Sequence, residues 1–391
     1  MSAAYDVVVA GAGIVGAACA RTLAERGLKT ALIDAGVVGG GATAAGMGHI
    51  VAMDDSPAQL ALTSYSQRLW RELAPKLPDD VEFDACGTLW IASDDEEMAE
   101  VRRKRGVYAS AGVASEILSA EMLAVEEPHL RPMAGALLVP GDAVLYPPCA
   151  AAWLTREAVR MGAKVLAPKR VTALGRERVK LEDGSELHAG RIVNACGADA
   201  AQLTPELPIR KRRGHLVITD RYPGFVRHQL VELGYLKSAH SVATDSVAFN
   251  VQPRRTGQLL IGSSREFGAE DATINHALLS AMVARTQAYL PEIGDLHAIR
   301  VWTGFRAATP DKLPLIGPWP EDESVFLATG HEGLGITTSL ATAQLLASTI
   351  LGEATEIDAT PYFPARYAQT EGYTNGKAST ADVPAAEKSH A

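Results

Sequence analysis

A short apolar run, Tyr5 to Ala10, gives way at once to glycines at positions 11, 13 and 16, and no other feature of this 391-residue chain restricts its fold as strongly. Val7, Val8 and Val9 read as a strand buried on both faces. The glycine spacing is G-x-G-x-x-G. Gly16, Cys19, Ala20 and Leu23 then recur at i, i+3, i+4 and i+7, so a helix begins inside the turn and Gly27 can cap its end. Gly11 permits the tight turn, Gly13 lets the backbone approach a pyrophosphate, and Gly16 lets the helix pack closely on the strand. The helix start, with Ile14 and Val15 in its first turn, presents N–H groups and a positive dipole end to an anionic diphosphate. A second strand, Thr30 to Ala35, carries Asp34, 18 residues beyond Gly16. A carboxylate there accepts hydrogen bonds from a ribose and disfavours the extra phosphate of NADP. The expected class is α/β, with a Rossmann-like βαβ unit binding a dinucleotide.

Three later segments favour FAD over NAD. Gly39 to His49 is almost entirely small, with Thr43, Ala44, Gly46, Met47 and Gly48 able to lie flat against a ligand beyond the pyrophosphate; a flexible surface loop is the alternative. Arg191 to Gly197 follows a hairpin turning at Asp183-Gly184 and reads as another buried strand ending in glycine. Leu327 to Gly352 places Gly330, Gly333, Leu334 and Gly335 before a helix with Ile336, Leu340, Ala343, Ala347 and Ile350 on one face. Its first turn, Ile336 and Thr337 included, supplies a second open helix N-terminus. Directed at a flavin, that dipole favours the negative charge of the reduced ring.

Composition removes other classes. The net charge of −9 opposes general nucleic-acid binding. No stretch approaches the roughly 20 apolar residues of a spanning helix. Val7 to Ala18 followed by Cys19 does not read as an export leader, because no Lys or Arg precedes it and Asp6 stands where positive charge belongs. Cys19, Cys86, Cys149 and Cys196 are scattered, a pattern of reduced cytoplasmic thiols without an iron–sulfur or metal site. The basic runs Arg210-Lys211-Arg212-Arg213 and Arg254-Arg255 are expected on a solvated face.

Taken together, these motifs resemble the D-amino-acid oxidase (DAO) family of FAD-dependent oxidoreductases, which includes glycine oxidase, sarcosine oxidase and D-amino-acid dehydrogenase. The likeness rests on Gly11-Ala-Gly-Ile-Val-Gly16 with Asp34, Val193-Asn-Ala-Cys-Gly197, Gly304-Phe-Arg-Ala-Ala-Thr-Pro310 with Leu315-Ile-Gly317, and Gly330-His-Glu-Gly-Leu-Gly335. Within the family, Gly40 to Gly46, Pro140 to Tyr146 and Gly262 to Arg265 are most similar to FAD-carrying members of multi-component dehydrogenases: those of D-hydroxyproline dehydrogenase (its β chain), opine oxidase and hydrogen cyanide synthase. The resemblance implies an FAD domain from 1–85, 142–212 and 302–365, a substrate domain with a mixed or antiparallel sheet from 86–141 and 213–301, and companion electron-transfer subunits for which run 210–213 offers a docking surface. It extends the cofactor set to Val171, Gly197 and Gly304. Gly87 to Ser93 and Gly257 to Ser263 read as strands, Ala277 to Leu290 as a helix, and 366–391 as a loose tail.

The resemblance makes Arg306 the carboxylate anchor of an amino-acid substrate whose C–N bond is oxidised to an imine by hydride transfer to flavin N5. A guanidinium fork matches a carboxylate; an ion pair with Asp311 is the structural alternative. His49 is either a flavin neighbour or an ordinary core or surface histidine, His331 is structural, and Tyr235 and Arg254 are candidates for the pocket. With no cysteine beyond Cys196, non-covalent FAD is expected. A self-sufficient oxidase and a non-catalytic flavin-bearing subunit are the competing functions, and the acidic balance counts against a tRNA-modifying one.

Overall fold

The apolar run at the start of the chain forms β1 (Ala4–Ala10), and its valines serve two layers. Val7 and Val9 join the cluster made with helices α1 (Ile14–Glu25), α3 (Pro57–Leu73), α6 (Pro147–Arg160) and α8 (Gly335–Leu351). Val8 points the other way, into a cluster with Ala31, Val179 and Ile192. This alternation across a strand covered on both faces explains why the run is apolar throughout. The computed structural model describes residues 4–234 and 245–367.

β1 lies between two parallel neighbours, β2 (Thr30–Ile33) and β11 (Glu186–Asn194). Beyond β2 runs β8 (Lys164–Leu166), and beyond β11 run β18 (Asp322–Thr329), again parallel, and β17 (Leu315–Trp319), antiparallel. The hairpin of β9 (Val171–Gly175) and β10 (Arg178–Leu181) completes an eight-stranded sheet. One sheet thus draws on three stretches remote in sequence. The expected turn at Asp183-Gly184 joins β10 to β11, with Gly184 at φ +81°.

A second eight-stranded sheet has the order β16 (Ala298–Ala308), β12 (Arg210–Arg221), β15 (Gln258–Phe267), β14 (Ser246–Pro253), β13 (Gln229–Glu232), β4 (Thr88–Ala92), β6 (Gly135–Val139), β5 (Glu116–Ser119). Only β13 and β4 pair in parallel, so this sheet is mixed. One face holds Leu89, Ile91, Phe249 and Val251 against α7 (His276–Gln287), with α5 (Ala120–Glu126) beside β6. Trp90, Leu137 and Val231 on the other face pack against α4 (Asp95–Ser110) and residues 51–53. β12 and β16 belong wholly to this sheet, so the boundaries expected at 212/213 and 301/302 fall inside strands. A small pair, β3 (His49–Ile50) with β7 (Ala143–Val144), joins the two bodies.

The first two residues of the tail expected from 366 are folded. Arg366 closes a turn at Pro364–Tyr367 and donates to Asp311 at 2.7 Å; the remainder lies outside the described residues.

Candidate active site

Two glycines of the first turn are required by close approach. Gly11 has φ +102°, and a Cβ there would stand 2.5 Å from Ala195 O; one at Gly16 would stand 1.8 Å from Gly11 O. Gly13 differs, since only Thr43 Oγ1, at 3.2 Å, would meet its Cβ. It is the N-cap of α1, without a side-chain cap and without an acid in the first turn, so the positive helix end stays available to an anion. Ile14 N–H donates to Thr43 Oγ1 at 3.0 Å, and the space beside Gly16 is closed on its far side by Ala195. Asp34, just past β2, accepts from Ala12 N–H (2.6 Å) and Gly36 N–H (2.7 Å), while its carbonyl accepts from Lys169 N–H, two residues before Val171 at the start of β9.

The second helix start meets the first. α8 also begins without a side-chain cap or an acid in its first turn, and a Cβ at Gly335 would stand 3.7 Å from Val15 Cγ2. Between them runs the glycine-rich segment, which is a packed joint and not a flexible surface loop. Gly41–Ala45, containing Thr43 and Ala44, forms α2. Gly304 of β16 lies against Ala45, and Gly46 against Ile336 Cδ1. Met47 O accepts from Gln252 Nε2 at 2.6 Å, and Gly48, at φ +111°, lies against the Leu145 carbonyl. Thr337 Oγ1 donates to His49 O at 2.8 Å. Gly197 and Gly330 shape the ends of β11 and β18: Gly197 O accepts from Thr329 Oγ1 at 2.9 Å, and Gly330 faces Thr309.

A cavity of about 90 Å³ lies between this joint and the second sheet. Of the expected residues, His49, Arg306, Gly333 and Leu334 line it. Arg306 Nη1 donates to Ser264 O at 2.9 Å, and its guanidinium lies over Gly214, where a Cβ would meet Nη1 at 2.5 Å. Asp311, the acid named as the alternative partner, pairs with Arg366. His49 Nε2 is buried without a hydrogen-bond partner among the described residues, and burial, aided by the Arg306 charge, pushes the ring down to about 4. It is a neutral imidazole with one nitrogen open. Tyr235 lies outside the described residues.

Several lining residues had no warning in the sequence: Trp90, Arg212, Gln229, Asn250, Arg265 and Glu332. Each sits on a strand or turn contributed by a different part of the chain, and only two-residue alternation along β12 to β15 could have hinted at a common face. The basic run is a correction of substance. Arg212 and Arg213 are 7% exposed, the first paired with Glu332, the second donating to Glu266 (2.8 Å) and Asp271 (2.9 Å), while Lys211 pairs with Asp199. A strand flanked on both edges buries these two arginines, while Arg210 is exposed and Lys211 half-buried, so only the first half of the run faces solvent. Arg254, also expected near the pocket, instead clamps Glu82 across the ring of Tyr146. His331 is structural, buried and bonded to Thr342 Oγ1 at 3.0 Å.

This arrangement agrees with what the chain resembles. The family described as DAO, FAD dependent oxidoreductase, matches residues 6–349. The chain belongs to the DAO family. It is 28% identical to hydrogen cyanide synthase subunit HcnC of Pseudomonas aeruginosa, over 94% of this chain and 97% of that protein. It is 27% identical to glycine oxidase of the same organism, over 92% and 98%. The crystal structure of glycine oxidase from Geobacillus kaustophilus superposes with a TM-score of 0.83 at 26% identity, covering 93% of this chain and 99% of that one.

FAD fits the residues present in this DAO-family protein. An uncapped helix start free of carboxylates suits a diphosphate, an acid past β2 suits a ribose, and the strip from Thr43 to Gly48 leads to a second uncapped start. Gly16→Ala is expected to cost at least about 1–3 kcal/mol through overpacking and to lower FAD content, read from the urea midpoint and the ratio of visible to ultraviolet absorbance; a variant as yellow and as stable as the parent would show that the turn can spread. Because the His49 ring is already neutral, His49→Gln should slow turnover without moving the apparent pKa values of kcat/KM between about pH 5 and 9. The unfolded chain takes up protons that the buried ring refuses between pH 6.5 and about 4, so this contribution to stability falls as pH drops through that window, and the variant should lose it.

Proposed function

We propose that this chain oxidises the C–N bond of a small amino acid or related amine to the imine, with Arg306 holding the substrate carboxylate. The observation that carries this reading is a guanidinium lying over two glycines, Gly214 and Gly333, at the wall of a small cavity beside a neutral histidine. A Cβ at Gly214 would meet Nη1 at 2.5 Å and one at Gly333 would stand 3.4 Å from Nε, so the two glycines leave the room that the Arg306 side chain occupies. Its charge-assisted bonds to a carboxylate are each worth about 1.5–3 kcal/mol.

The cavity lining strengthens the preference for an anion. Arg212, Arg265, Arg306 and Lys312 contribute four positive charges against Asp55 and Glu332. A volume of about 90 Å³ is well below the roughly 300 Å³ of an ordinary drug-sized site, which favours a compact substrate. FAD, when bound, supplies the two-electron acceptor for the hydride that leaves the α-carbon. His49 has one nitrogen without a partner among the described residues to offer a neutral amine, and Val51, Met53, Val231 and Leu334 are the apolar part of the lining.

Likeness to a hydrogen cyanide synthase subunit supports a role as the FAD subunit of a multi-component dehydrogenase; likeness to glycine oxidases supports a self-sufficient oxidase. Anaerobic bleaching by D-amino acids, D-hydroxyproline, D-proline, glycine or opines, followed by reduced flavin that persists in air and is reoxidised by an added artificial electron acceptor, would favour the first; rapid reoxidation in air with stoichiometric peroxide would favour the second. Four free cysteines and none beyond Cys196 support a reducing cytoplasmic setting and FAD held without a covalent bond, tested by its release on acid precipitation.

Arg306→Met is expected to raise KM for a carboxylate substrate well over tenfold while FAD stays bound. Unchanged kinetics at full FAD occupancy would remove Arg306 from the substrate site.

A further inference from the structure

The wall of the cavity away from Arg306 is polar in an unusual way. Gln229 and Asn250 are 2% and 6% exposed, and their side-chain oxygens, Oε1 and Oδ1, have no hydrogen-bond partner among the described residues. Trp90 is 2% exposed, and its Nε1 donor is likewise without a partner there. All three line the same cavity. The sheet register explains why they share it: Val231 of β13 lies opposite both Trp90 of β4 and Asn250 of β14, and Gln229 lies two residues along from Val231 on the same face. Two buried acceptors and one buried donor therefore converge on one side of a space that holds little.

We propose that Gln229, Asn250 and Trp90 form a subsite for a hydroxyl group on the substrate's side chain. The proposal rests on the amine-oxidation reading and names the class of substrate that would satisfy it. A hydroxyl is the simplest group that donates to an amide oxygen and accepts from an indole N–H at once. Water can serve these atoms in the free protein, but a substrate filling the cavity displaces it, and a buried polar atom that then finds no partner carries its full desolvation penalty. A substrate with a bare methyl or methylene at this end would leave all three atoms unmet, whereas a hydroxyl meets the indole N–H and one of the two amide oxygens.

The sheet sets the amides apart from the arginine. Arg306 Nη1 reaches across β12 to Ser264 O on β15, and β14 and β13 are the next two strands. Asn250 lies opposite Gly262, two residues along β15 from Ser264, and Gln229 lies further along in the same direction, so the carboxylate anchor and the amides occupy separate parts of one cavity wall.

The test compares hydroxylated amino acids with their deoxy partners on the FAD-loaded full chain, serine against alanine and 4-hydroxyproline against proline, each as both enantiomers. Anaerobic bleaching should favour the hydroxylated member of at least one pair by about 100-fold, as expected where a site is built around a substrate hydroxyl. Asn250→Leu and Gln229→Met, each checked for FAD content and melting temperature, should shrink that ratio at least about tenfold. Calorimetric binding of 3-hydroxybutyrate against butyrate supplies a readout that needs no turnover, with the hydroxy acid binding more tightly in the parent protein and the advantage lost in both variants. Equal treatment of hydroxy and deoxy partners in rate and in binding, or ratios untouched by both substitutions, overturns the subsite while leaving amine oxidation intact. Failure of every amine to bleach the protein, with 3-hydroxybutyrate still preferred, removes the oxidation reading and leaves the subsite standing.

Discussion

The contact between two helix starts is the constraint from which the rest of the molecule follows. α1 and α8 are separated by more than 300 residues, yet they pack closely, and both are rich in small buried residues, Ala17, Ala20 and Ala24 on one, Ala343 and Ala347 on the other. Close helix packing of this kind places both positive ends on one side of the first sheet. Everything between those ends must then be small or absent, which is why residues 39–48 carry no side chain larger than threonine except Met47. The same close approach fixes Thr337 to the backbone of His49 and so sets the entry of the chain into the second sheet.

The cavity depends on charges buried away from solvent as well as on helices. Lys104 is fully buried, paired with Asp54 and lying between the rings of Trp90 and Tyr108. Asp142, also fully buried, accepts from Ala52 N–H at 3.1 Å and Gln67 Nε2 at 2.6 Å, and burial pushes its carboxyl up to about 7. These groups stabilise little by themselves, since desolvation offsets most of the attraction in a buried pair. What they do is fix geometry. Both act on residues 52–54, the stretch that leads from His49 along the cavity, and Lys104 also holds the indole of Trp90. Losing one partner would leave a charge or a backbone donor buried and unsatisfied, so the segment has few alternative positions.

The nucleotide end was legible in the sequence because its requirements are local. A strand, a left-handed glycine, a small-residue helix and a terminal acid lie within thirty residues, and each follows from backbone sterics or dipoles. Val171, Gly197 and Gly304 were named through likeness to a family; their local sequences alone did not require a ligand. The cavity wall was not legible, for a physical reason. Arg210 to Arg213 has the composition of a solvated face, and only the remote partners Glu332, Glu266 and Asp271 account for the burial of Arg212 and Arg213. Gln229 and Asn250 look like ordinary strand residues until β13 and β14 are paired. Pairing between distant strands is what a one-dimensional pattern does not carry.

The division of labour across the second sheet follows its strand order. β12, β15 and β16 contribute Arg212, Arg265 and Arg306, and the cavity is electropositive at that edge; β4, β13 and β14 contribute Trp90, Gln229 and Asn250, and there it is polar but uncharged. Attraction by charge is long-ranged and indifferent to the rest of the ligand, so in the proposed function the arginine side selects for a carboxylate. Hydrogen bonding by neutral groups is short-ranged and lost with a single missing atom, so in the proposed subsite the amide side selects among carboxylates. A sheet suits this separation because neighbouring strands hold the two kinds of group at fixed spacing, while the helix starts on the far side of the joint remain committed to the cofactor. Substitutions on the amide side can thus change the substrate without disturbing the residues arranged for FAD.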